Sequence, residues 1–321
     1  MNDNKHKYIE FCKERAFPLH MQPWWLDAVC VQGQWEVALS FDGEGKLNGA
    51  LPYYLTHSKW LRSIRMPPFS DYAGIWMQLP DAPGMKLERR YDIETRIIRE
   101  LCAQLPKVAL YDQSFYPEFE NWLPFYWQGY RQTTLYTYVL KPGTSPDALY
   151  EGLRGPLKTD LRKAARSVEV LQSDSPEDFY QVYQQSFFRQ NLTPQYSLDA
   201  LKNLDAAATA HQCRRIYLAR DRTNGVVHAG IYVVWDDQQA YLLLSGADPE
   251  LRTSGALFLL QWQAIQDFTT AGLRFDFCGS VLPNIENAFR AFGGERRTHF
   301  RIYKAGNRLW RLLAVLLNKD Y

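Results

Sequence analysis

The chain has 321 residues, and at about 150 residues per domain its length predicts two domains, each long enough to bury its own core. Lys and Arg total 37 against 35 Asp and Glu, a net charge of +2 that gives no chain-wide attraction to a polyanion, so DNA is not an expected partner and any basic surface must be local. A hydrophobic share of 46% beside 22% charged residues excludes a disordered, collagen-like or coiled-coil chain.

The opening Met1-Asn2-Asp3-Asn4-Lys5-His6-Lys7 has neither the apolar core nor the small-residue cleavage site of a secretory signal, which predicts a cytoplasmic protein. Patterning then predicts a helix through Trp24–Val29 and strands near Trp35–Ser40, Gly49–Leu55 and Ala73–Met77. A helix across Glu88–Gln104, a strand Val108–Asp112, a further helix and a strand Arg131–Leu140 complete the first half. Val168–Gln172 follows as a short strand. Pro176–Gln190 carries Phe179, Val182, Tyr183 and Phe187 at helical spacing behind the cap candidate Ser175, and a second helix is expected over Ser197–Ala210. Three β-rich runs, Arg214–Arg220, Val226–Trp235 and Gln239–Ser245, are separated by turn compositions and predict an antiparallel meander. A helix from Gly255 to Gly272 then leads to a strand Leu273–Phe277, a helix Asn284–Phe292, a strand His299–Lys304 and a closing helix Asn307–Leu317.

Several chemistries lose their usual signals. Five cysteines with no close pair give neither a disulfide framework nor a CxxC site, and six scattered histidines never stand at i, i+4, so no metal is expected. There is no GxSxG elbow, no Walker loop and no GxGxxG fingerprint. No apolar run approaches the ~20 residues of a membrane span. From Glu295 to Tyr321, seven basic residues face two acids, and with Leu309, Trp310, Leu312 and Leu313 the closing helix could lie peripherally on the inner face of a membrane, although packing on its own domain fits its many apolar positions better.

The order from Val168 onward, a strand, two helices, three strands, a helix, a strand, a helix and a strand, resembles that of the GNAT acyltransferase superfamily. The segments Phe275-Asp276-Phe277-Cys278-Gly279-Ser280, Ile285-Glu286, Phe292-Gly293-Gly294 and Phe300–Lys304 resemble the C-terminal domain of FemABX-like proteins, as does Leu161–Arg166 upstream of Val168. Pro23-Trp24-Trp25-Leu26 and Gly49-Ala50-Leu51-Pro52 are similar to first-half segments of the same group. Tyr111-Asp112 followed by Pro117–Asn121 also parallels Phe275-Asp276 followed by Pro283–Asn287. The resemblance implies an α/β (α+β) chain of two tandem GNAT-like domains, over 1–140 and 141–321, each a mixed, mainly antiparallel sheet flanked by helices. It also implies transfer of an acyl group, from acyl-CoA or from aminoacyl-tRNA as in Fem enzymes, to an amine acceptor.

Such transfer needs N–H donors for the developing oxyanion and a base for the amine proton. The Asp276 carboxylate either points into a cleft as a base or caps local backbone. Tyr241 and Ser245 are expected to alternate onto one face beside a gap between strands, with Tyr241 as an acid candidate. Glu286 is either a catalytic carboxylate or the partner of Arg290 four residues on, and Ser280 is a polar contact or a turn serine. The resemblance aligns Arg252-Thr253-Ser254-Gly255-Ala256-Leu257 with a GNAT pyrophosphate loop, in which Leu257 would crowd a diphosphate. Arg252 and Gly255 read equally well as a solvated charge and a helix-start glycine. Lys158, Arg162 and Arg166 recur every four residues, either as a solvated face or as a phosphate-binding stripe for tRNA or CoA. A binding module without catalysis is the remaining alternative.

Overall fold

The computed structural model describes residues 3–58, 61–80, 84–188 and 192–306. The predicted closing helix Asn307–Leu317, with its membrane reading, lies outside these residues, as does the end of the helix expected to reach Gln190. The chain divides into two units, Met1–Leu135 with Thr298–Tyr321, and Tyr136–Arg297. The first unit therefore includes a strand that the sequence boundaries of 1–140 and 141–321 leave with the second domain.

The first unit begins with helices α1 (Asp3–Glu14) and α2 (Pro23–Val29). Strands β1 (Gln34–Phe41), β2 (Leu47–Ser58), β3 (Leu61–Arg65) and β4 (Trp76–Met77) follow, then α3 (Leu87–Ala103), β5 (Leu110–Ser114), α4 (Leu123–Trp127) and β6 (Arg131–Leu140), which enters the second unit at Tyr136. Helix α1 and strand β3 escape the sequence pattern because each buries a single residue, Tyr8 and Ile64. The strand expected over Ala73–Met77 shrinks to its last two residues. Gly74 takes a φ of 102°, which leaves the extended region, and lies so close to the Phe115 ring that a Cβ there would collide with it. Ile97, Ile98 and Leu101 of α3 pack on Leu51 and Leu55 of β2, with Tyr111, Phe115 and Phe125 filling the rest of the core.

In the second unit, α5 (Pro146–Gly152), α6 (Gly155–Ser167), β7 (Val168–Ser173), α7 (Pro176–Phe188) and α8 (Leu198–Ala210) precede the meander. Ser175 and Ser197 cap α7 and α8, their hydroxyls accepting from the N–H groups of Asp178 and Ala200. The meander is β8 (Arg214–Asp221), β9 (Val227–Trp235) and β10 (Gln239–Ala247), and α9 (Ala256–Thr270) crosses to β11 (Arg274–Asp276), followed by α10 (Pro283–Arg290) and β12 (Glu295–Ala305). The sheet of this unit runs β6-β11-β10-β9-β8-β7, antiparallel except for the parallel pair β10–β11 that the α9 crossover requires. One face carries Ile231, Val233, Ala240 and Leu242 against Leu161 and Ala164 of α6 and Leu260, Ala264 and Phe268 of α9. The opposite face packs Tyr232 and Gly230 against Phe179 and Val182 of α7.

The glycines of this second face set the distance of α7. A Cβ on Gly246 would collide with Tyr183 Cα and stand 2.9 Å from its N, so the helix backbone rests directly on the strand. Strand β12 leaves the second unit at Thr298 and pairs with β5 in the first, where the Arg301 guanidinium donates twice to Asp112, at 2.8 and 2.7 Å.

Candidate active site

The parallel ladder between β10 and β11 has three rungs, ending at Tyr241 opposite Asp276, while β10 continues to Ala247. Beyond the last rung the Phe277 N–H bonds to Tyr138 O on β6, so the chain after β11 stays with β6 and leaves β10. The two strands therefore separate into a slot whose root is the Tyr241–Asp276 rung. A β-bulge at Leu243 accompanies the split, because the register against β9 slips between Leu242 and Leu244.

That bulge corrects the expected placement of two candidates. Tyr241 pairs with Val234 and Ser245 with Ile231, and these partners alternate onto opposite faces of β9. Tyr241 thus lies on the α7 face and Ser245 on the α9 face. One inserted residue reverses the alternation, and no two-residue period read from sequence anticipates it. Tyr241 is buried, and its hydroxyl donates to Asp236 Oδ2 at 3.2 Å, toward the β9–β10 turn.

Asp276 is fully buried and surrounded by donors. Its Oδ1 accepts from Thr137 Oγ1 at 2.5 Å and from the Cys278 N–H at 2.8 Å, and its Oδ2 accepts from Gln239 Nε2 at 2.9 Å. The carboxylate therefore ties β6, β10 and the loop after β11 together at the vertex of the slot, which is the capping alternative of the sequence reading extended to three elements. Cys278 and Gly279 both take positive φ, 60° and 73°, in turning the chain out of the sheet. The Ser280 hydroxyl accepts the Leu282 N–H at 3.1 Å in the turn leading to α10.

Glu286 stands in the first turn of α10, which is fastened to the sheet by Phe289 and Phe292 against Phe277, at ring distances of 4.7 and 5.2 Å. Its carboxylate accepts from the Tyr138 hydroxyl at 2.5 Å and pairs with Arg290 at 3.3 Å, the ion pair that the i, i+4 spacing predicts. The hydrogen bond to the carboxylate raises the Tyr138 phenol above its ordinary pKa and keeps it protonated. Tyr138 belongs to the cluster on the α9 face, so Glu286, Tyr138 and Ser245 share that side of the sheet. Sequence reasoning passed over Tyr138 because its partner lies 148 positions away and nothing local marks it.

At the start of α9, Arg252–Ser254 forms a single 3-10 turn and Gly255 follows at a φ of 73°. A Cβ on Gly255 would stand 3.2 Å from Asp160 O of α6, so the position calls for glycine on backbone conformation and on packing alike. The Ser254 hydroxyl accepts the Ala256 N–H at 3.3 Å. Leu257, half-buried, packs against the core of the unit. Arg252 is exposed and forms no ion pair among the described residues. An exposed guanidinium beside a helix start is an arrangement suited to an anionic group.

On α6 the basic residues divide. Lys158 is held by Glu151, 3.2 Å from its carbonyl and 3.5 Å from its carboxylate, and the Arg162 Nε donates back to Lys158 O. Arg162 and Arg166 are exposed. Among the described residues no group of three His, Cys, Asp or Glu is placed to hold a metal, and no helix is long and apolar enough to cross a membrane.

Residues 153–290 match the family model of the acetyltransferase (GNAT) domain, a span that begins before α6 and ends with α10. Over the whole chain the fold is similar to the crystal structure of FemX, with a TM-score of 0.67 at 10% identity, covering 98% of this chain and 99% of that one. A tandem GNAT protein from the clavulanic acid biosynthesis pathway gives a TM-score of 0.53 at 12% identity, with 95% and 96% coverage. L-PGS from Bacillus licheniformis gives 0.53 at 10%, with 97% and 94% coverage. No curated relative matches the sequence. Residues 153–290 thus carry an acetyltransferase (GNAT) domain, and along its length the chain has the fold seen in FemX and in the tandem GNAT protein.

Proposed function

We propose that the protein transfers an acyl group from an acyl-CoA to the amine of a small-molecule or envelope-precursor acceptor, with the chemistry in the slot of the second unit. The observation that carries this reading is the separation of β10 from β11 after the Tyr241–Asp276 rung, beside the α9 start. A thioester carbonyl entering the slot meets the β10 backbone at the Leu243 bulge, beside the root, and an N–H there stabilises the oxyanion as the amine attacks. The Arg252–Ala256 turn holds the donor's diphosphate. The amine nitrogen forms the new bond to the carbonyl carbon and gives its proton to Glu286. The C–S bond then breaks, and the thiolate takes a proton from Tyr138, which recovers one from Glu286 across their hydrogen bond. Asp276 and Tyr241 act from the root by fixing the strand geometry, and Ser280 by shaping the turn before α10.

An acyl-transfer assay with acetyl-CoA and a panel of amines tests this reading. Glu286→Gln and Tyr138→Phe are expected to lower kcat by about 10²- to 10⁴-fold, the usual yield of a positioned acid or base. Full turnover in both variants removes the pair from the chemistry.

A second reading, transfer from aminoacyl-tRNA to an envelope precursor, is favoured by the exposed Arg162 and Arg166 on α6. It requires tRNA binding that weakens steeply with salt and declines in Arg162→Ala with Arg166→Ala. Salt-insensitive binding excludes it.

A further inference from the structure

The slot is not open along the whole of β10. The Asp248 N–H bonds to His228 O, which marks that pair as a hydrogen-bonded one in the antiparallel ladder with β9. Counting back along the register, Gly246–Gly230 is hydrogen-bonded as well, while Ala247–Ala229 and Ser245–Ile231 are the intervening pairs. Their backbone N–H and C=O groups therefore turn away from β9, toward the side where β11 is missing. At Ala247 both groups are already taken: the Ser186 hydroxyl donates to Ala247 O at 3.1 Å and accepts the Ala247 N–H at 2.9 Å. Helix α7 can reach this edge because Gly246, lacking a side chain, lets Tyr183 rest on the strand one turn earlier. One hydroxyl thus replaces the missing strand at that position.

We infer that Ser186 sets the length of the donor slot, closing its wide end at Ala247 and leaving Ser245 as the open backbone rung for an amide-bearing thioester arm. The inference rests on the acyl-CoA reading of the slot. The CoA arm carries two secondary amides that can add to a strand edge as a β-strand does. With Ala247 capped, one of them finds a rung at Ser245 and the other finds none. Ser186 acts here as a positioning residue that restricts donor binding, and it takes no part in proton transfer.

The test compares binding of CoA with that of adenosine 3′,5′-bisphosphate, which lacks the arm, by isothermal titration of the full chain. Ser186→Ala frees the Ala247 groups and is expected to tighten CoA about five-fold, the worth of one added hydrogen-bonded rung, with the bisphosphate unchanged. Ser186→Thr keeps the hydroxyl and is expected to match the parent chain. Ser186→Cys keeps the volume, weakens both hydrogen bonds and shifts CoA in the same direction as Ser186→Ala, so the outcome does not depend on one variant folding. CoA binding that exceeds bisphosphate binding in the parent chain but is unmoved by Ser186→Ala and Ser186→Cys overturns the role of Ser186 and leaves the donor reading standing. CoA that binds no better than the bisphosphate in every variant shows that the arm stays out of the slot, and both fall.

Discussion

Two buried histidines of the first unit carry a pH dependence that the fold imposes on them. Burial pushes His20 down to about 3 and His299 down to about 4 from the ordinary 6.5. Both are neutral when folded, His20 with Nδ1 3.0 Å from the Tyr116 hydroxyl and His299 edge-on to Tyr72 at 5.2 Å. Below pH 6.5 the unfolded chain binds protons that the folded chain refuses, so stability falls as pH drops from 6.5 toward 4 and is fully present above that range. Urea unfolding at pH 7 and pH 5 is expected to show this loss, and His299→Phe to reduce the slope by as much as ~1.4 kcal/mol per pH unit. An unaltered slope refutes the assignment. Asp276→Asn is also expected to be destabilising: if the new amide nitrogen stands at Oδ2 it faces the Gln239 Nε2 donor, and if at Oδ1 it faces the Thr137 hydroxyl and the Cys278 N–H. The mismatch costs about 1–3 kcal/mol, read as a lower Tm, and an unchanged Tm would show that the vertex tolerates the swap.

At the scale of elements, the seat of α7 on β9 and β10 depends on two residues having no side chain. Gly246→Ala places a Cβ against the Tyr183 backbone, which cannot swing aside as a flexible side chain would, and Gly230→Ala meets Val182 Cγ1 at 2.9 Å. Overpacking of this kind costs about 1–3 kcal/mol and lifts the helix that carries Ser186. Gly152→Ala at the end of α5 meets nothing within 4 Å and is the control, expected to stay within about 0.5 kcal/mol. Equal melting temperatures for Gly246→Ala and Gly152→Ala contradict the close seat.

At the scale of the molecule, the chain returns to its first unit at Thr298, after the whole of the second. Strand β12 lines β5 from Arg301 to Ala305, buries Ile302 completely and brings Arg301 to Asp112. A fragment of residues 1–140 has the length of a domain but lacks that strand, leaving the β5 edge unpaired and the Ile302 site vacant. It is expected to show no cooperative thermal transition by circular dichroism, and a sharp transition would show that the first unit is complete without β12.

The sequence by itself determined which segments become strands and helices where a buried face repeats. The three meander strands, α3, α8 and the capped start of α7 follow from periodicity and from Ser175, because these signals depend on near neighbours in the chain. It also marked the Glu286–Arg290 pair, four residues apart on one helix. Tertiary structure alone decided the bulge at Leu243 that sends Tyr241 and Ser245 to opposite faces, the meeting of Tyr138 with Glu286, and the Ser186 cap on Ala247. Each depends on residues that the chain brings together only after the sheet has closed, and a pattern of near neighbours holds no trace of which distant partner will arrive.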